Sequence, residues 1–415
     1  MHSLSNHKVQ ALALGTAMMM TLCGCSAPKS LVNNTERSLV NHKNAHNTFK
    51  NKAHKAFENS AQSASQSAPI RMGAYEIFDP SVLSILDTSA KINTLATGFE
   101  WVEGPVWWEE DQALLFSDIP THKVYRYKDG QGVSEFISHS GFSNGLLINA
   151  QNELVLMQSR SRQIAKWRGS LIASGAEQAA PRAKSHKLKQ PAKAQKPHER
   201  QQTFPADDYI ILTRHYQGQM LNSPNDGVFK AQRSTKHSTE GNSKGGVQGT
   251  LYFTDPPYGL PKQLDDPAKE LDFQGVYALS PKGELTLLDK TLVYPNGIAL
   301  APDEKTLYVA ASNPKKPAWY AYSIDDEGGV HNRKLFHQAP VQSDASHGLP
   351  DGLKVHRSGI VFATGPSGIW LFDPQGTLLA KVHMPSISAN LAFNADQTRV
   401  FVTAHHQLLS FSLKP

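Results

Sequence analysis

Cysteine is nearly absent from this chain: 415 residues hold two, Cys23 and Cys25, both close to the start. No disulfide framework can hold such a protein together, so its stability must come from a large apolar core. A membrane-spanning run is also lacking. The apolar stretch at residues 9–22 stops at roughly fourteen residues, short of the ~20 a spanning helix needs. The third scarcity is positive charge in the body of the chain, although the formal net charge is +6. Residues 26–70, 176–202 and 230–248 carry +4, +5 and +3, so the remainder, leaving Lys8 aside, is close to −7. An acidic body argues against nucleic-acid binding and suits a site for a cation.

What stands at the N-terminus is a secretion signal: a weakly basic start, the short apolar run, then Leu22-Cys23-Gly24-Cys25. That tetrad resembles a lipoprotein signal-peptidase site, which makes Cys25 the lipidated first residue of an exported, membrane-anchored protein. Residues 1–25 are therefore read as signal peptide. Residues 26–70, rich in Asn, Ser, Ala, Lys and His without an apolar period, are read as a flexible tether. Ser26 stands where inner-membrane lipoproteins often carry an aspartate, which points to the periplasmic side of the outer membrane in a bacterial envelope.

From residue 71 to 415 short β-type runs alternate with turn residues. Six segments superpose, each a polar residue, a glycine in all but the last, an apolar run, a turn and a second apolar run. They start at Glu103, Asn144, Asp226, Asn296, Asp351 and Asn390, at intervals of 41, 82, 70, 55 and 39 residues. The two longest intervals contain the basic segments. Without these the period is about 40–55, the size of a four-stranded propeller blade. The expected fold is all-β, a six-bladed β-propeller with a central-channel metal site. Closing strands are expected from residues 75–100 or from residues 408–413, and disordered basic insertions near 170–206 and 230–248 occupy loops, where length costs little.

If the repeats superpose, Glu103, Asn144, Asn225 with Asp226, Asn296, Asp351 and Asn390 ring one end of the channel. Carboxylates and amides without Cys or His form a hard-oxygen donor set, suited to Ca²⁺, Mg²⁺ or Mn²⁺. Asn-Gly and Asp-Gly pairs are also ordinary hairpin turns, so each pair alone has a second reading. Glu103 is less ordinary, because a glutamate between Trp101-Val102 and Val106-Trp107 is costly to bury without a partner.

Several motifs together carry a resemblance that covers nearly everything from Thr97 onward except the basic insertions. They are Glu103-Gly104-Pro105-Val106-Trp107, Leu221-Asn222-Ser223-Pro224-Asn225-Asp226-Gly227 and Tyr252-Phe253-Thr254-Asp255-Pro256-Pro257-Tyr258-Gly259. Tyr294-Pro295-Asn296-Gly297 and Leu349-Pro350-Asp351-Gly352-Leu353 complete the set. The chain resembles the gluconolactonase/regucalcin (senescence marker protein) hydrolases, which are related to luciferin-regenerating enzyme and diisopropyl fluorophosphatase, and it is most similar to the bacterial gluconolactonase branch. The resemblance implies that Glu103, Asn225, Asn296 and Asp351 ligate one divalent metal, calcium first, with Zn²⁺, Mg²⁺ or Mn²⁺ as alternatives. It makes Asp351 the catalytic carboxylate, acting as base or as nucleophile. Asn225 and Asn144 are expected to touch substrate, and Asp226 to orient Asn225. Ser223 departs from the regucalcin-like arginine, and Met157-Gln158-Ser159-Arg160 from the Glu-His-Gly turn of bacterial members; both bear on substrate choice.

The implied chemistry is metal-dependent hydrolysis of a lactone, such as glucono-1,5-lactone, to the aldonic acid by a monomer. Hydrolysis of other esters or organophosphates, or a non-catalytic envelope propeller, are the alternatives. No nucleophilic serine in a Gly-x-Ser-x-Gly elbow is expected, which sets a serine esterase aside. His405 and His406 are expected as exposed rim residues.

Overall fold

Runs such as Ala113–Asp118 and Thr306–Ala311 are mostly apolar without alternation and buried at nearly every position, the pattern of a strand covered on both faces. A computed structural model describes residues 68–171, 206–230, 249–343 and 345–415. Those residues form six antiparallel sheets around a channel, a six-bladed β-propeller, with a separate two-stranded hairpin, His215–Tyr216 with Gln219–Met220, and short 3₁₀ turns as the helical elements among them. The innermost strands are Val102–Trp108, Ser143–Ile148, Gly227–Lys230, Pro295–Leu300, Leu353–Val355 and Asn390–Phe393 in blades 1 to 6. These match the six expected segments.

The core sits in the seams between blades. Along the second strand of blade 1, Leu114 and Phe116 pack with Ala392, Phe401 and Leu408 of blade 6, while Leu115 packs with Leu146, Leu154 and Leu156 of blade 2. Alternate residues of one strand thus serve opposite seams. The other four seams repeat the arrangement and close the ring.

Both candidate closing segments are used. Gln407–Ser412 is the third strand of blade 6, and Asn93–Thr97 pairs with it as the outermost strand. Ahead of that strand, Ile70–Met72 and Tyr75–Ile77 extend the outer edge of blade 5 through Leu378–His383. Tight turns at Ala301-Pro302-Asp303-Glu304 and Asn394-Ala395-Asp396-Gln397 join first and second strands: the Glu304 N–H donates to Ala301 O at 2.8 Å, and the Gln397 N–H to Asn394 O at 3.0 Å.

Every innermost strand begins at the face carrying Glu103 and its counterparts. Turns from first to second strand and from third to fourth strand lie at the opposite face. The chain positions of both basic insertions fall there, between Trp167 and Tyr209 in blade 2 and between Lys230 and Thr250 in blade 3. The insertions, the signal peptide with Cys25, and the tether up to residue 67 lie outside the described residues.

Candidate active site at the channel mouth

In three blades the site residue sits in a β-bulge, where the ladder skips a residue: Glu103-Gly104, Asn144-Gly145 and Asn296-Gly297. The local signature shared with hairpin turns is therefore resolved in favour of bulges. A bulge bends the strand and re-aims one side chain, here into the channel. Gly104 has φ +51°, and a Cβ there would stand 2.0 Å from Asn144 O. A Cβ on Gly297 would stand 2.2 Å from Asp351 O. Only glycine allows neighbouring blades to approach so closely.

A hydroxyl near the end of each second strand in blades 1 to 5 bonds the innermost strand of the next blade. Ser117 Oγ donates to Asn144 O at 2.8 Å, and Ser159 Oγ to Pro224 O at 2.7 Å. Thr254 Oγ1 donates to Asn296 O at 2.5 Å, Ser312 Oγ to Pro350 O at 2.6 Å, and Thr364 Oγ1 to Ala389 O at 3.1 Å. Two buried aspartates anchor the approaches. Asp118 accepts the Trp101 N–H at 2.9 Å, ahead of Glu103. Asp255 accepts the Asn222 and Ser223 N–H groups at 2.8 and 2.6 Å, ahead of Asn225, although burial pushes its carboxyl up to about 7. Ser223, which stands where regucalcin-like chains carry arginine, accepts the Gly259 N–H at 2.6 Å and so braces the turn bearing Tyr258.

The expected site residues converge in this frame. Glu103, Asn144, Asn225 and Asn296 are 3 to 5 % exposed, while Asp351 keeps part of its surface open toward the mouth. Burial pushes the Glu103 carboxyl up to about 7; the Asp226 carboxylate adds to the rise, and the Gly104 N–H at 3.0 Å and the Lys354 ammonium oppose it. Asp351 lies well above the ordinary carboxylate range, through burial first and then the charges of Glu103 and Asp226. The amide oxygens of Asn144 and Asn296 are buried without a hydrogen-bond donor, whereas the Asn296 amide nitrogen donates to Ser312 Oγ at 2.9 Å. Crowded carboxylates and donor-less carbonyl oxygens are what a hard divalent cation satisfies, so the residues present fit the implied metal. Among the described residues no three His, Cys, Asp or Glu side chains gather as ligands. The implied set contains only two such residues, Glu103 and Asp351, and draws the rest from amides.

Three expectations need correcting. Asp226 does not orient the Asn225 side chain: its carboxylate accepts the Gly227 N–H at 2.8 Å and the Asn390 amide at 3.1 Å across the channel. The pentad Gly141-Phe142-Ser143-Asn144-Gly145 does spell Gly-x-Ser-x-Gly. It opens an innermost strand instead of a strand-to-helix elbow, and Ser143 is fully buried with Oγ 2.8 Å from Ser117 Oγ. Of the rim histidines, His406 is exposed as expected, but His405 is half-buried with its ring 5.0 Å from that of Trp101.

Sequence reasoning passed over Lys354 and Tyr258. Lys354 reaches into the channel from the innermost strand of blade 5, with Nζ 3.5 Å from Asp226 Oδ2. The Tyr258 ring, exposed on one side, stacks on Tyr294 at 5.5 Å and 9°. A lysine one residue after Leu353, in an otherwise apolar innermost strand, is the sequence signal that was available.

Residues 101–406 match the SMP-30/gluconolactonase/LRE-like region. A gluconolactonase of Zymomonas mobilis is 30% identical over 83% of this chain and 87% of its own length. A lactonohydrolase of Aspergillus oryzae is 29% identical over 35% of this chain and 37% of its own. A solved gluconolactonase structure from Xanthomonas campestris superposes with a TM-score of 0.63 at 27% identity, covering 84% of this chain and 97% of that one. With six blades, inward-facing bulges and this span of matching sequence, the chain belongs to the SMP-30/gluconolactonase/LRE-like family.

Proposed function

We propose that this protein hydrolyses lactones, glucono-1,5-lactone first among them, with one divalent cation, preferentially Ca²⁺, held by Glu103, Asn225, Asn296 and Asp351. The observation that carries the reading is the pairing, at one channel mouth, of two carboxylates pushed upward in pKa with two buried amide oxygens that lack a donor. The gluconolactonase relatives supply the substrate class.

Such a cation, when bound, supplies Lewis-acid polarisation of the carbonyl oxygen. The chain's own residues do the rest. Asp351 accepts a proton from the attacking water, for which a raised pKa is suited, and returns it to the ring oxygen as the acyl carbon–oxygen bond breaks. The product is the open hydroxy acid. Asn144 and Asn225 orient the sugar hydroxyls, and the stacked Tyr258 and Tyr294 rings wall the mouth. We further assign an exported protein anchored through lipid on Cys25 and acting as a monomer. Loss of acyl labelling in Cys25→Ser checks the anchor.

The assay follows acid release from glucono-1,5-lactone above the spontaneous rate. Activity that EDTA removes, Ca²⁺ restores and Asp351→Ala lacks is the expected result. A protein that binds Ca²⁺ yet hydrolyses no sugar lactone would overturn the substrate assignment, and one that works in EDTA would overturn the metal.

A further inference from the structure

Three carboxylates share the channel, those of Glu103, Asp226 and Asp351: Glu103 feels the charge of Asp226, and Asp351 feels both. One cation of the chain stands among them. Lys354 Nζ lies 3.5 Å from Asp226 Oδ2, 3.4 Å from Asn390 Oδ1 and 3.2 Å from Leu353 O. All three contacts are longer than the ~2.8 Å of a tight charge-assisted bond. The ammonium is therefore shared by an oxygen cage and is not locked to one partner. The cage draws on distant parts of the chain: Asp226 from blade 3, Lys354 from blade 5, Asn390 from blade 6. The Asn390 amide also ties Asp226 directly at 3.1 Å, which fixes the cage without help from the lysine. Lys354 touches none of the four expected metal ligands in any hydrogen bond, yet its charge is felt at Glu103.

We propose that Lys354 is a built-in cation of the channel: it offsets one of three clustered carboxylates, leaves a net charge of minus two once all three are ionised for the cation, and thereby sets the mouth to take a single divalent ion at restrained affinity. Lys354 is a positioning residue here. It acts on the ion through charge, and its removal strengthens binding. The ion's part of this rests on the divalent-cation reading above; the lysine's part rests on the cage.

The test titrates Ca²⁺ into EDTA-stripped full-length protein. Wild type takes one equivalent. Lys354→Met, which keeps the stem and removes the charge, tightens Ca²⁺ by roughly tenfold or more, as expected for one unit charge near a divalent ion. Lys354→Arg leaves affinity near wild type. Asp226→Asn weakens it, and the Lys354→Met/Asp226→Asn double variant returns to within about threefold of wild type, because its charge is again minus two. A side chain that only fills space would give weaker binding or none of this order. Unchanged or weaker Ca²⁺ affinity in Lys354→Met, or two equivalents in wild type, overturns the proposal. A wild type that binds no Ca²⁺ defeats the metal reading instead, and the lysine is then judged on thermal midpoints of the metal-free proteins. Lys354→Met should melt lower and the double variant should recover; equal midpoints for Lys354→Met and wild type overturn it.

Discussion

At the face carrying Glu103, glycines are packed against their neighbours: Cβ atoms on Gly104, Gly297 and Gly352 would lie within 2.2 Å of the next blade. At the opposite face, Gly130 and Gly283 adopt positive φ in turns, and a Cβ on either would meet nothing within 4 Å. The hydroxyl bonds from Ser117, Ser159, Thr254 and Ser312 also run at the first face, while both basic insertions join the second. One sheet architecture thus gives a rigid end, where position is fixed by backbone contact between blades, and a permissive end, where loops can lengthen at small entropic cost.

The largest effect expected from breaking this contrast is chemical. Asp351→Asn keeps size and burial but removes the proposed base, and should lower lactone kcat by on the order of 10³-fold with the thermal midpoint held or raised. Next comes Gly104→Ala, which should cost about 3 kcal/mol or more through a left-handed φ and contact with Asn144 O. Gly283→Ala at the other face should cost about 1 kcal/mol from φ alone, and paired denaturant melts compare the two. A smaller effect is the pH slope of the metal-free protein. Glu103 and Asp351 bind protons more tightly folded than unfolded, so their contribution to stability is greatest at low pH; the Glu103 part is lost as pH rises from about 4.5 to about 7, and Asp351 acts in the same direction. Melts in EDTA should fall across that window, and Ca²⁺ should flatten or reverse the slope. Least of all, replacing residues 172–205 or 231–248 with a short Gly-Ser linker should leave kcat/KM within about twofold, since their attachment points face away from the mouth.

The six strand pairs and the polar residue opening each were legible because apolar runs bounded by turn residues, and their recurrence, are properties of local sequence. The distinction between bulge and turn was not: Asn144-Gly145 reads the same in both, and only the register against Leu154–Gln158 separates them. The partner of Asp226 lay equally out of reach, since Asn390 is 164 residues away and meets it only across the closed ring. The hydroxyls were a missed regularity. Ser117, Ser159, Thr254, Ser312 and Thr364 all stand where an apolar second strand ends, and their recurrence was as visible as that of the glycines. Ser143 shows the reverse hazard, a motif complete in letters whose backbone setting denies it the role.

The N-terminal segment has a bearing on order of assembly. Tyr75 and Ile77 sit on blade 5, Val82 and Leu86 share a core with Val400, Leu409 and Leu413, and Asn93–Thr97 finishes blade 6. The earliest part of the propeller to leave the ribosome is thus mortared into the last, and it straps the seam between Asp351 and Asn390. A nascent chain can raise blades one after another, yet the channel mouth is not enclosed until its final strand arrives and the ring is drawn shut.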